Sequence, residues 1–464
     1  RPFDSGVAKV LTVIGFALPV SAYLVLLTHY QVNAVWEDQW ADVPVIRESY
    51  VHFPNWSSLW TQHTENRMFF PNVIVVLLAH TVAYNIEWEQ FLSALLLLTA
   101  TALLIWSHKR RSPGTPLLYY CPVAFLTLTF AQWQDTLWGF QMAWYLVVLA
   151  MALTIVLLDR PDLRWLVFVS AALAAVVGSF SSLQGLLIWP VGLVLLYHRR
   201  RPYWAFAAWV GVAVGTVALY FHNFRRPNEF NLHFLVQFPI QLLQFFLLAL
   251  GDVVGAQENA HQAPNGAVMA FGAVILVLAA FVVLRWGLRR DDCTGSPIGV
   301  ALIIYGLLFD ALISLGRLWE GLYAASQSRY TTNDVLVLTG IYLTALGASR
   351  SRVMAKGIDH GGRTTWRSPP ALIRVRTLFD RITPGVVLPV TAVMIAIQIV
   401  CSVHFALPDA RQAHQEYLKA AAVTRNIDHE PGIDVLEYLY FAEPVTWVRT
   451  QAHFLEVHHL SVFR

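Results

Sequence analysis

The sequence predicts an all-α, polytopic membrane protein with about eleven spanning helices, and three observations carry that prediction. Only 13% of the 464 residues are charged and the mean hydropathy is +0.52, against about 25% charged residues in soluble domains. Apolar runs approaching the roughly 20 residues needed to cross a bilayer recur along the chain. Basic residues gather in a few clusters between those runs, the pattern expected of cytoplasmic connections. Seventeen Trp and seventeen Tyr suit the membrane interfaces, and a net charge of +3 gives no argument for a nucleic-acid partner.

The apolar runs lie at 9–29, 69–84, 90–106, 116–131, 141–158, 165–180, 183–198, 204–221, 234–251, 266–285, 297–315, 333–348 and 385–402. The basic clusters are His108 to Arg111, Arg160 to Arg164, His198 to Arg201, Arg285 to Arg290 and Arg350 to Arg381. If 69–84 crossed the bilayer, Lys109 to Arg111 would face outward. That run is short, begins at Phe70-Pro71 and holds His80 and Tyr84, so it reads as a helix in the outer interface. Run 234–251 has polar, non-basic flanks and reads as interfacial or re-entrant. Removing both leaves eleven spans, with a cytoplasmic N-terminus and an extracytoplasmic C-terminus. The run from Val10 to Leu27 lacks a small-residue cleavage site and reads as a retained first helix.

On this topology residues 1–402 form the transmembrane domain and 403–464 a small outer tail with an amphipathic helix at Asp409 to Val423. The outer loops are 30–89, 132–140, 181–182, 222–265, 316–332 and the tail; 349–383 is a cytoplasmic linker. Arginine greatly outnumbers lysine, which appears only at positions 9, 109, 356 and 419. That skew fits GC-rich coding and a bacterial cytoplasmic membrane. Cys121, Cys293 and Cys401 lack metal-ligand spacing and predict no disulfide.

The outer loops hold the candidate chemistry. Trp36-Glu37-Asp38-Gln39-Trp40 follows the first span. Carboxylates beside low-dielectric surroundings gain basicity, which suits a general base; the alternative is a solvated helix cap. His63-Thr64-Glu65-Asn66-Arg67 brings a histidine, an acid and an arginine within reach of one another, either as a site or as a loop-fixing ion cluster. Gln132-Trp133-Gln134-Asp135 places an acid at membrane depth, where ionisable groups are functional candidates, against a capping role. Gly316-Arg317 and Ser328-Arg329-Tyr330 put two arginines outside, against the charge trend. Arginine grips phosphate oxygens in a bidentate fork; an ion pair of Arg317 with Glu320 is the alternative. Ser182 and Gln184 sit in a turn that reads as packing, and Arg225-Arg226 are a weaker phosphate signal. No phosphate-cradling glycine loop, dinucleotide fingerprint or nucleophile elbow is present.

This layout resembles the C-type glycosyltransferase (GT-C) superfamily, in which a long first outer loop begins with one or two acids and continues through interfacial helices. Trp60-Thr61-Gln62-His63-Thr64-Glu65-Asn66-Arg67, then Phe69-Phe70-Pro71, is similar to a bacterial subgroup with a segment of the type Trp-x-Gln-His-Asn-Glu-His-Arg. Thr64 and Asn66 depart from that pattern. The resemblance implies inverting transfer of a sugar from a polyprenyl-phosphate donor to an envelope glycan, lipid or protein acceptor on the outer face. It implies Asp38 as base with Glu37 second; Arg329, then Arg317, with Tyr330, at the donor phosphate; and His63, Glu65, Arg67, Gln134 and Asp135 around sugar or acceptor. A divalent cation on Asp38, Glu65 or Asp135 is compatible with this and not demanded. Competing readings are a transporter or flippase, against which stand unpaired halves and acids gathered on one face, and a scaffold, in which acids and arginines stay apart in space.

Overall fold

The computed structural model describes residues 6–226, 237–256, 264–288, 296–355 and 383–464. Most of the 349–383 linker and parts of the 222–265 loop lie outside these residues. The chain is all-α. Among the described residues the only strands are Gln62–His63 and Asn66–Arg67, an antiparallel hairpin pairing Gln62 with Arg67 and His63 with Asn66.

Among the described residues, seven helices are long and apolar enough to cross a membrane: Gly6–Tyr30, Ile86–Arg111, Gly139–Leu158, Tyr203–Tyr220, Gly266–Gly287, Ile298–Glu320 and Gly385–Arg425. Shorter apolar helices stand beside them at Phe69–Val82, Trp165–Ser179, Leu183–His198 and Pro239–Val254. Run 116–131 is broken into Leu117–Tyr120, Cys121–Thr127 and Phe130–Gln132, because Pro116 and Pro122 flank a segment that then bends at Leu128. Runs 165–180 and 183–198 form Trp165–Ser179 and Leu183–His198, each about 22–24 Å long at 1.5 Å per residue, below the ~30 Å hydrocarbon thickness. Phe69–Val82 and Pro239–Gly251 are shorter still, as an interfacial or re-entrant placement requires. Ser328–Ala355 packs through the bundle core and carries Asp334, so it is not apolar throughout.

The helix Leu388–Arg425 runs unbroken across residue 402, so membrane run and outer tail are joined by one rod of about 57 Å. Its far end and the residues beyond it do not stand alone. Val423, Val435, Leu439, Tyr440, Val448 and Leu455 share a buried cluster with Val35, Trp40, Val43, Ile46 and Tyr84 of the first outer loop. Burying apolar surface between these two distant stretches places loop and tail on one side of the bundle. It also fixes the segment that carries Glu37 and Asp38.

Candidate functional site

The first loop leaves Gly6–Tyr30 and tightens into a single 3₁₀ turn, Glu37–Ala41, before Asp42–Val51. Trp40 is fully buried and Trp36 packs edge-on against Tyr417 with ring centroids 5.5 Å apart, so the two tryptophans anchor the turn in the outer layer. Glu37 takes a left-handed backbone conformation, φ 43°, uncommon for a residue with a Cβ and found at functional sites. Its amide donates to the Leu439 carbonyl at 2.7 Å, so the tail holds the strained residue in place. Gln39 points the other way and donates to the buried carboxylate of Glu89 at 2.6 Å, a contact that a side chain at Gly139 would obstruct.

The hairpin 62–67 separates residues that the sequence groups together. His63 lies 3.6 Å from Asp38, an ion-pair distance longer than a hydrogen bond. Glu65 pairs instead with Arg317 at 2.5 Å, and Arg317 bonds Glu320 at 2.9 Å. The alternative foreseen for Arg317 is thus realised, and it bridges hairpin and late loop. The Arg67 guanidinium donates to the carbonyls of Trp60, Tyr220 and His222 at 3.1, 3.2 and 2.6 Å and is 5% exposed, so it staples the hairpin to Tyr203–Tyr220. Asn66 accepts from the Ser182 hydroxyl and the Leu183 amide at 2.8 and 2.9 Å, which makes the 181–184 turn a packing partner of the hairpin.

The segment 132–137 clasps the start of Ser328–Ala355. Ser328 donates to the Ala131 carbonyl at 2.7 Å, the Arg329 amide donates to Gln134 at 3.1 Å, and Thr332 donates to Gln132 at 2.8 Å and to Asp135. Asp135 has no exposed surface. Half-buried Gln134 holds the Arg329 backbone, and Asp135 holds the next turn of that helix through Thr332. Tyr330, 3% exposed, stacks on Trp144 at 5.9 Å and lies under the Arg329 guanidinium at 5.4 Å, so it supports that cation. Among the described residues the Arg329 side chain has no hydrogen-bond acceptor and no ion-pair partner, and its Nε is buried.

Electrostatics join these pieces. Burial pushes the Glu37 carboxyl up to about 6, reinforced by Asp38 and opposed by Arg329. Burial also works on Asp38, but His63 first, then Arg329 and Arg317, hold it below its usual value. Burial disfavours the His63 cation, yet Asp38, Asp42 and Glu65 outweigh that and raise it. Asp42 rises to about 7, chiefly by burial. Charges from residues 37, 38, 135, 317 and 329 thus act on one another across nearly 300 positions of sequence. Glu37 and Asp38 are both half-buried, and Asp38 keeps 35% of its side chain exposed. Among the described residues no three His, Cys, Asp or Glu side chains gather to hold a metal ion. Asp38, Glu65 and Asp135, the three residues considered for a cation, have His63, Arg317 and Thr332 as separate partners.

Sequence reasoning missed Asp42, Glu89 and a pair inside the bundle, Asp310 and Asp334. These last two carboxyls are buried, face each other, and find no other donor among the described residues. The signal was present: Asp310 is a lone acid in an apolar run, a functional candidate by default. It also corrects the expectation that the acids collect on one face.

The molecule is an all-α, multi-pass membrane protein with a polar site built on a layer of loop and tail packed against the helix bundle. No family model matches the sequence, and no curated protein matches it. Among solved structures it is similar to ArnT from Cupriavidus metallidurans, crystallised bound to undecaprenyl phosphate. The identity is 14%, the match covers 94% of this chain and 87% of that one, and the TM-score is 0.43. At that level the likeness carries no functional argument, and the residues themselves must.

Proposed function

We propose that this chain is a C-type membrane glycosyltransferase that transfers a sugar, with inversion, from a polyprenyl-phosphate donor to an acceptor on the outer face of a bacterial cytoplasmic membrane. One observation carries the reading: an arginine without an anion partner, Arg329, stands within electrostatic reach of the first-loop acids Glu37 and Asp38. The first-loop motif resemblance supports it, and a scaffold gives no reason for that convergence. In the reaction the acceptor hydroxyl oxygen attacks the anomeric carbon while the carbon–oxygen bond to phosphate breaks. The bonding pair leaves on the phosphate oxygen, where the Arg329 guanidinium stabilises the added charge. Asp38, ionised and accessible, takes the hydroxyl proton. His63 lowers the Asp38 carboxyl and keeps it charged toward acid pH, and Arg317 with Glu65 holds the two loops together.

Asp38→Asn keeps size and loses basicity. It is expected to lower sugar transfer from a polyprenyl-phosphate donor by about 10²–10⁴-fold, the usual contribution of a general base, with unchanged expression. Full transfer by this variant removes Asp38 as the base. The transport reading has one observation in its favour, the facing carboxyls of Asp310 and Asp334 inside the bundle. In that reading Asp38→Asn leaves function intact and Asp310→Asn abolishes it, so the two variants together separate the readings.

A further inference from the structure

A cavity of about 150 Å³, open to solvent, lies beside His63 on the side of Asp42–Val51 and Phe69–Val82. A cavity of about that volume in another protein admits a benzene ring, so a six-membered ring fits here. The lining divides by chemistry. Phe140 and Met68 are apolar, and Phe140 stands edge-on to His63 at 5.2 Å. The polar lining is Gln62, His63 and three side chains that can accept, Asp42, Thr61 and Asn72. Asn72 uses its amide N–H on the Leu59 carbonyl at 3.0 Å, which leaves its oxygen to accept. Thr61 donates its hydroxyl to the Ser58 carbonyl at 2.9 Å and keeps its lone pairs. Asp42, 4% exposed, meets only Tyr84, at 3.5 Å through Oδ2, among the described residues. A ligand that suits this wall donates several hydroxyl protons along its edge and lays a C–H face on an aromatic ring. Such a ligand is a sugar ring, and His63 sets it next to Asp38.

We propose that this cavity is a monosaccharide subsite, in which Asp42, Asn72 and Thr61 accept the hydroxyls of one pyranose and Phe140 packs on its apolar face. The assignment deepens the glycosyltransferase reading and rests on it for the source of the sugar. Two sources share the chemistry: the sugar of the lipid-linked donor, and the terminal sugar of a glycan acceptor.

The test uses the full chain in detergent, with Ala41→Phe to fill the cavity and Phe140→Leu to remove the aromatic face while keeping bulk. Probes are the methyl glycosides of glucose, galactose and mannose, short-chain prenyl phosphate, and the prenyl-phosphoryl forms of the same three sugars. Saturation-transfer NMR is expected to show at least one methyl glycoside bound to the wild type, with the signal lost in Ala41→Phe and reduced in Phe140→Leu. If the cavity holds the donor sugar, Ala41→Phe also weakens prenyl-phosphoryl sugar at least tenfold while leaving prenyl phosphate unchanged. If it holds the acceptor sugar, both prenyl ligands bind Ala41→Phe as they bind the wild type. The subsite is overturned if neither glycoside nor prenyl-phosphoryl sugar responds to the two substitutions. Failure of every prenyl ligand to bind the wild type, with glycoside binding intact, overturns the glycosyltransferase reading and leaves the subsite standing.

Discussion

Arg317 ends the helix Ile298–Arg317 and Arg329 opens the helix Ser328–Ala355, so both flank one short connection, yet they meet opposite surroundings. Arg317 is neutralised on two sides, by Glu65 from the hairpin and Glu320 from its own loop. Arg329 is held by its backbone to Gln134 and by its ring contact to Tyr330, and no carboxylate pairs with it. A partnered guanidinium ties structure together. A partly buried one without a counter-ion is costly to keep, and that cost is tolerated where an arriving anion supplies the missing charge. The comparison teaches that position in a loop does not rank two arginines as phosphate ligands, whereas their partners do.

The strongest way to break this contrast is Arg329→Ala. The expected loss is about 10²–10³-fold in kcat/KM for a polyprenyl-phosphate sugar, the range seen when one preorganised donor to developing charge is removed. Inhibition by prenyl phosphate should weaken in parallel. Arg329→Lys should recover only part, because an ammonium lacks the bidentate fork. Undiminished prenyl-phosphate inhibition of Arg329→Ala would move the phosphate site elsewhere.

The same contrast shows what a linear sequence carries and what it hides. Composition and apolar run length made the all-α membrane fold legible, and loop position marked Asp38, His63 and Arg329 as a set. Run length misled at 116–131, since hydropathy does not report where turns break a helix. The roles of Arg67 and Asp135 were hidden because their partners, the carbonyls near Tyr220 and the hydroxyl of Thr332, come from remote helices. The cover that Leu439 and Tyr440 place over the first loop was equally invisible, because it arises from burial between stretches some 400 residues apart.

Arg317 gives a smaller effect of a different kind. Its bridge to Glu65 is 29% exposed on each side, so water screens it and its coupling should not exceed about 1 kcal/mol. A double-mutant cycle of Arg317→Ala and Glu65→Gln, read by thermal unfolding, should return a coupling of that size. Transfer should fall only a few-fold in Arg317→Ala. A loss as large as that of Arg329→Ala would show that Arg317 also meets the donor, and the distinction between the two arginines would disappear.

The smallest effect at neutral pH, and the sharpest in its pH dependence, concerns His63. Its cation is the first of the influences holding Asp38 below the ordinary carboxyl value of about 3.9. In the wild type Asp38 is therefore ionised throughout the range where the protein can be assayed. His63→Gln removes that cation, and burial then lifts Asp38 against the weaker pull of Arg329 and Arg317. At pH 7 Asp38 stays ionised and kcat/KM should change about twofold or less. Toward pH 5 the variant should lose activity while the wild type holds, because an acid limb has moved up into the window. Stability follows the same linkage with its own signs. The raised His63 contributes stability that is fully present below about 6.5 and lost as pH climbs through its folded value. The lowered Asp38 contributes stability present above about 3.9 and lost as pH drops through its folded value. The gap in Tm between wild type and His63→Gln should therefore be widest between about pH 4 and 6.5 and should narrow at alkaline pH. Parallel pH–rate profiles for the two proteins would mean that His63 does not govern the charge of Asp38, and that the 3.6 Å contact is incidental to the base.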